Sequence, residues 1–431
     1  MKLTKPAEPA GGEKRDQTGP VVSVIDSEFI SDSIRGYAHL RERAPLIRMG
    51  SPDVPPVWLV TRCDDVKAAL SDPRFVVDFG NVPGYEGLGL ADQILLALGL
   101  PSEHREYATS MLLSDGEAHA RLRRLIAPAF SARRIKAMRS RVEQIAQELV
   151  AALAEKKEGD LIDEFALPLT SAVICGLIGI DEADQPQMRQ WMHDYTNGQQ
   201  LADGQDMVGY TKKLIERRRA TPTGDMISAL IQSTDKNGDR LTEGEIIAMV
   251  LLLVNNGHLS TANFIPNAIV VLFDHPDQLA RLRAEPELLP PAMNELMRVA
   301  SPLLLTAPRY ATEDLEFAGV QIFQGEALSN SLQAANYDPR IFPDPERVDI
   351  TREIGPGEIG PGERHVAFGA GPHHCLGAAL ALMEGEVALD HLLLRNDSLS
   401  LAVRRDELEY ADVALGVKQL TRLPICLIRS P

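Results

Sequence analysis

One stretch carries the side chains best suited to chemistry: Phe368-Gly-Ala-Gly-Pro-His-His-Cys-Leu-Gly-Ala378. Its glycines and proline favour a tight, non-repetitive backbone. Cys375 follows at once, and the Ala- and Leu-rich run from Leu376 predicts a helix. The sulfur is therefore expected on a bend at a helix N-terminus. Unpaired N–H groups and the positive dipole end stabilise a thiolate there. Held beside a flat apolar surface, such a thiolate suits axial ligation of haem iron, and its electron donation favours O–O cleavage. The plainer reading is a turn carrying a buried structural cysteine.

Three further stretches place polar groups at telling spacings. Asp115 to Ile126 opens like a helix with an acidic first turn and carries His119 and Arg123. Glu295 and Arg298, at i and i+3, share one helix face and can pair. Thr242 to Phe273 is the longest helical candidate; Thr242 and Glu245 form a capping-box pattern, and Pro266 predicts a kink.

Phe368, Gly371, Cys375 and Gly377 fall on the pattern Phe-x-x-Gly-x-x-x-Cys-x-Gly. On the three stretches and this loop, which follow one another along the chain as Asp115–Ile126, Thr242–Phe273, Glu295–Arg298 and Phe368–Ala378, the sequence resembles the cytochrome P-450 family. The resemblance covers nearly everything after about Ile25. It implies a mainly α fold with small β-sheets, haem b lying between a long distal helix and a proximal Cys loop and helix. It makes Cys375 the iron ligand, with Phe368 and Gly377 beside the cofactor. His119, Arg123, Arg309 and His373 would reach the propionates, since a guanidinium fork suits a carboxylate. The plain alternative for His119 and Arg123 is a solvated basic face. Glu295, Arg298 and Arg347, the last from Phe342-Pro-Asp-Pro-Glu-Arg347, would form a buried structural charge network.

The distal stretch Val254-Asn-Asn-Gly-His-Leu-Ser-Thr261 departs from the family's Ala/Gly-Gly-x-Asp/Glu-Thr-Thr. Gly257 matches the glycine that lets the helix pass close over the haem. Asn256 replaces a small residue, Leu259 the usual acid, and Ser260 the oxygen-activating threonine. Leucine cannot relay protons. Ser260 can still donate a hydrogen bond, and Asn256, His258 or a substrate hydroxyl with ordered water could supply the rest. A core-satisfied or outward-facing ring is the plainer reading of His258.

These groups need a scaffold, and 431 residues with 44% hydrophobic content can bury a large core. Residues 1–20 read as a disordered leader and 21–431 as one domain. Ser31 to Arg43 predicts a helix, Val57 to Thr61 a strand, and Asp64 to Ser71 a helix. Phe79 to Thr109, rich in Gly and Leu, matches the family's segment that roofs the substrate pocket. Ile135, Met138, Val142, Ile145, Leu149 and Leu153 predict an amphipathic helix, and Asp163 to Ile180 a buried one. Gln185 to Tyr195 and Gln205 to Arg219 predict a helix pair joined near Gly204, a mobile lid by resemblance. Leu303, Leu304, Leu305 and Thr306 are substrate-contact candidates, with core packing the equal alternative for the leucines. Val413 to Leu415 are weaker candidates.

The net charge of −17 argues against a nucleic-acid partner. No stretch of the leader is apolar enough for a signal or membrane anchor. Cys63, Cys175, Cys375 and Cys426 show no paired spacing, which fits a reduced cytoplasmic compartment. With no flavin or iron–sulfur motif, electrons are expected from a ferredoxin and its reductase. The local cluster Arg121, Arg123, Arg124, Arg133, Arg134 and Lys136 offers an acidic ferredoxin a docking face, or merely solvates one. The distal helix and its continuation from Asn267 resemble family members that tailor polyketides and macrolides. The expected function is hydroxylation, epoxidation or oxidative cyclisation of such a hydrophobic scaffold. Peroxide-driven or coupling chemistry, prompted by Leu259, and a non-catalytic haem-binding protein stand as alternatives.

Overall fold

The computed structural model describes residues 22–23, 33–51, 54–98, 102–196, 200–352, 364–411 and 416–427. The leader expected at 1–20 lies outside them. Among the described residues helices dominate, and three small sheets flank them. The largest sheet runs in the order Val22–Ser23, Leu46–Ser51, Val54–Val60, Ala327–Asn330, Arg309–Ala311, Phe75–Val76. Its strands Val54–Val60 and Ala327–Asn330 pair in parallel, and Arg309 is thereby fixed opposite Leu328.

Seven helices build the site: α1 (Gly116–Ile126), α2 (Ala132–Lys156), α3 (Leu167–Ile178), α4 (Glu243–Asn256), α5 (Leu259–Asp274), α6 (Leu289–Ala300) and α7 (Ala378–Leu389). The periodic apolar set of α2 turns inward as its spacing requires: Ile135, Val142, Ile145 and Leu153 are buried. Lys157, at φ 67°, ends that helix. The run Asp163 to Ile180 is a π-turn over Ile162–Ala166 leading into α3, stopped by Gly179 at φ 97°.

α5 is the axis of the core. Every residue from Thr261 to Val270 is buried, and α3, α6 and α7 pack on it. Gly385 of α7 shows how tightly: a Cβ there would lie 2.7 Å from both Phe264 of α5 and Met293 of α6. By length and composition alone the Glu243–Asp274 stretch could cross a membrane; here it is largely enclosed by neighbouring helices.

Two expectations are corrected. The single helix from Thr242 to Phe273 is two, α4 and α5, parted at Gly257–His258, and α5 runs on through Pro266. The expected helix pair is Gln185–Thr196 and Gln200–Ala220, so Gly204 lies within the second helix and not at the joint.

Candidate active site

The Cys loop is shaped by its glycines. Gly369 and Gly371 take φ of 73° and 67°, which other residues rarely adopt. A Cβ on Gly371 would also come within 2.7 Å of the Leu70 carbonyl. One short turn, Gly371–His373, reverses the chain, and Cys375 N–H donates to the Phe368 carbonyl at 2.9 Å. The thiol is thus held exposed, three residues before α7 begins at Ala378. The Cβ position of Gly377 is 3.9 Å from Sγ.

Four basic side chains from three elements gather beside it. α1 contributes His119 and Arg123, the strand Arg309–Ala311 contributes Arg309, and the loop contributes His373. The imidazoles of His119 and His373 stack at 4.1 Å. Burial, then Arg309, His119 and Arg123, push His373 down to about 3. Burial and Arg123 also lower His119, against the pull of Asp115. Both rings are neutral at pH 7, which leaves two positive charges. Burial lowers Arg123 and Arg309, opposed by Cys375 and Asp115 respectively. Neither guanidinium bonds or ion-pairs with a described residue, and His119 Nε2 is buried without a partner.

An exposed thiol beside two guanidiniums without a hydrogen-bond partner and an orphaned imidazole nitrogen fits a metal-bearing cofactor with two carboxylates. The electrostatic coupling of Arg123 to Cys375 ties these requirements to one place. Haem b meets them all.

On the distal side, Thr242 accepts from Glu245 N–H and Glu245 from Thr242 N–H, so the capping box forms. The residue at the break after Asn256 must be small: a Cβ on Gly257 would lie 2.5 Å from the Leu253 carbonyl and 2.8 Å from Ile174 Cδ1. Ser260 Oγ donates to the Asn256 carbonyl at 3.2 Å, and the exposed Asn256 donates to Leu252. His258 is buried, its Nδ1 2.7 Å from the Val254 carbonyl, and burial pushes it down to about 4. It is the core-satisfied histidine.

Beneath the site, Glu295 and Arg298 form a fully buried bidentate pair, both contacts 2.7 Å. The third member is Arg352 and not Arg347. Arg352 Nε reaches Glu295 at 3.1 Å, whereas the Arg347 side chain is 69% exposed and lies 3.6 Å from Asp349. The turn through Pro343 and Asp344 explains it. Arg352 donates to the carbonyls of Pro343, Asp344 and Arg347, so Arg347 serves through its backbone while its side chain faces solvent.

The substrate candidates separate by side-chain direction. Leu303 is 40% exposed and pairs with Val417 in an isolated bridge. Leu304 is core, and Leu305 packs against the cluster of Tyr37 and Leu59. Thr306 is occupied in holding Asn330 by backbone and hydroxyl. Val413 to Leu415 lie outside the described residues. Half of the basic cluster is spent internally: Arg121 binds Asp239 and Glu245, Arg124 binds Asp235, and Arg134 donates to the Asp225 carbonyl. Arg133 and Lys136 stay exposed. These pairings span between 91 and 124 positions of chain and leave no local sequence signal.

The family model for cytochrome P-450 matches residues 192–410. Cytochrome P-450 107B1 of Saccharopolyspora erythraea is 40% identical over 94% of this chain and 98% of its own length. The chain belongs to the cytochrome P-450 family. It is 38% identical to the 6-deoxyerythronolide B hydroxylase of the same organism, over 94% of this chain and 99% of that one. The solved cytochrome P-450 PksS of the Bacillus subtilis bacillaene polyketide synthase superposes with a TM-score of 0.82 at 32% identity, covering 93% of this chain and 98% of that one. This P-450 is therefore a monooxygenase with haem b as cofactor, of the mainly α fold expected. Its family implies separate redox partners and hydrophobic small-molecule substrates.

Proposed function

We propose that this P-450 oxidises a polyketide or macrolide scaffold by hydroxylation, epoxidation or oxidative ring formation. It uses O2 and electrons from a ferredoxin and its reductase, in the cytoplasm. The observation that carries the catalytic part is the exposed Cys375 thiol beside the unpaired Arg123 and Arg309. The scaffold class rests on similarity to the 6-deoxyerythronolide B hydroxylase and to PksS.

Cys375 would hold the iron, and His119, Arg123, Arg309 and His373 would take the two carboxylates. When bound, the haem supplies O–O cleavage, which thiolate donation favours. The chain's own task on the other side is proton handling. Ser260 keeps its proton directed at the Asn256 carbonyl, so its oxygen lone pairs are left to accept from water. Asn256 spends an N–H on Leu252 and keeps Oδ1 as an acceptor. With Leu259 apolar and His258 buried and neutral, protons arrive by water held between Asn256 and Ser260, or by a substrate hydroxyl.

The test is turnover of a macrolactone panel with ferredoxin and reductase, scored for products one oxygen heavier. Cys375→Ser should abolish both the products and the thiolate carbon monoxide band. Panel-wide inactivity with an intact band would overturn the scaffold class alone. The absence of acid at Leu259 favours a second reading, peroxide-driven oxidation. Full reductase-driven turnover with no response to hydrogen peroxide would remove it.

A further inference from the structure

Asp115 stands in the N-cap position of α1, with the extended backbone of a cap (φ −120°, ψ 166°). A carboxylate there ordinarily accepts from its own helix, yet Asp115 makes no such bond. Its side chain reaches across to another segment instead. Oδ1 accepts from Val77 N–H at 2.8 Å, and Oδ2 from Asp78 N–H at 3.0 Å and Asn81 Nδ2 at 2.8 Å.

The clamped segment leads in two directions. Forward, Asp78 Oδ1 accepts from Gly80 N–H at 2.8 Å and from Leu90 N–H at 2.7 Å, at the first residue of the helix Leu90–Leu98. Backward, the strand Phe75–Val76 pairs with Tyr310 and Ala311, next to Arg309. The Phe79 ring meets Tyr310 edge-on at 4.7 Å and Tyr85 at 4.4 Å. One carboxylate therefore fastens the helix bearing His119 and Arg123 to the segment that precedes Leu90–Leu98, and that segment continues directly from the strand paired with Arg309–Ala311. The attraction between Asp115 and both His119 and Arg309 shows that it lies close to the basic pocket.

We propose that Asp115 is a positioning residue that couples the grip on the cofactor's carboxylates to the order of the Val77–Leu90 segment on the substrate side. This rests on the P-450 reading above, in which the segment after Phe79 roofs the substrate. Neither end needs Asp115 to touch cofactor or substrate. Loss of its bonds to Val77, Asp78 and Asn81 frees the roof and lets α1 shift relative to Arg309 together.

Asp115→Asn is the incisive change, because its NH2 would face an N–H donor in place of an acceptor. Three readouts on the haem-loaded protein are needed. Amide exchange over 77–90 should rise at least tenfold, with exchange in α5 unchanged. Haem transfer to apomyoglobin should quicken at least fivefold. The spectral affinity for 4-phenylimidazole should weaken at least fivefold more than that for imidazole, which is too small to need the roof. Asn81→Ala, which deletes one exposed bond, should move all three the same way by a smaller factor, and it covers the case in which the Asp115→Asn variant folds poorly. Faster exchange without faster haem loss, or the reverse, overturns the coupling, as does wild-type behaviour of both variants. A wild type without the thiolate carbon monoxide band would instead sink the P-450 reading before any variant is made.

Discussion

Exchanging one arginine for alanine at two positions five residues apart separates the geometry from the pattern. Arg352 is 13% exposed and donates to Glu295 at 3.1 Å and to three carbonyls at 2.7 to 3.2 Å. Removing one partner of a buried ion pair costs about 3–5 kcal/mol when the other is stranded. Glu295 is not fully stranded, because both its oxygens still bind Arg298 and Oε1 also accepts Asp349 N–H. A loss of about 2–4 kcal/mol is expected for Arg352→Ala. The exposed Arg347 side chain should cost about 0–1 kcal/mol. With an unfolding entropy of roughly 2.1 cal/mol/K per residue, a chain of 431 residues loses only about 1 °C of Tm per kcal/mol, so denaturant is the better probe. Urea unfolding of the haem-loaded protein, followed by tryptophan emission and the Soret band, should shift for Arg352→Ala and scarcely for Arg347→Ala. Equal shifts would refute the assignment of Arg352 as the third member.

Glu384 is 1% exposed, its Oε2 has no partner, and burial alone raises its carboxyl well above 4.5. The folded state keeps a proton that the unfolded chain releases above that value, so this residue erodes stability as pH rises from there towards the folded value. Glu384→Gln should gain stability over wild type more at pH 8 than at pH 5; urea midpoints that differ equally at both would contradict this. Gly257→Ala drives a methyl against the Leu253 carbonyl and Ile174, and a loss of about 1–3 kcal/mol with a shifted haem spectrum is expected from thermal melts and absorbance. Leu259→Glu should raise product formed per electron pair if proton delivery limits turnover; an unchanged or lower ratio, measured with the peroxide released, would locate the limit elsewhere.

What could be read in advance was whatever depends on a few adjacent residues. The Cys loop needs two left-handed glycines and a helix start within ten positions, and all are written consecutively from Phe368 to Ala378. The capping box at Thr242 and Glu245 and the inward stripe of α2 are equally local. The crowding at Gly257 was hidden because Ile174, which closes on it, comes from another helix. Arg347 and Arg352 could not be told apart for a similar reason: the turn at Pro343 and Asp344 decides which one points inward. The basic cluster looked available because its acids, Asp235, Asp239 and Glu245, sit far along the chain.

The unpaired guanidiniums of Arg123 and Arg309 have a consequence for how the protein is made. Until pigment arrives, the nascent chain must crowd two like charges and two uncharged imidazoles into a half-dry niche, at an energetic cost that opposes closure. The tetrapyrrole's acid groups remove that cost, so ligation and tight packing are thermodynamically linked. Cells starved of porphyrin should therefore accumulate a looser, protease-sensitive polypeptide, and not a stable colourless copy of the finished enzyme.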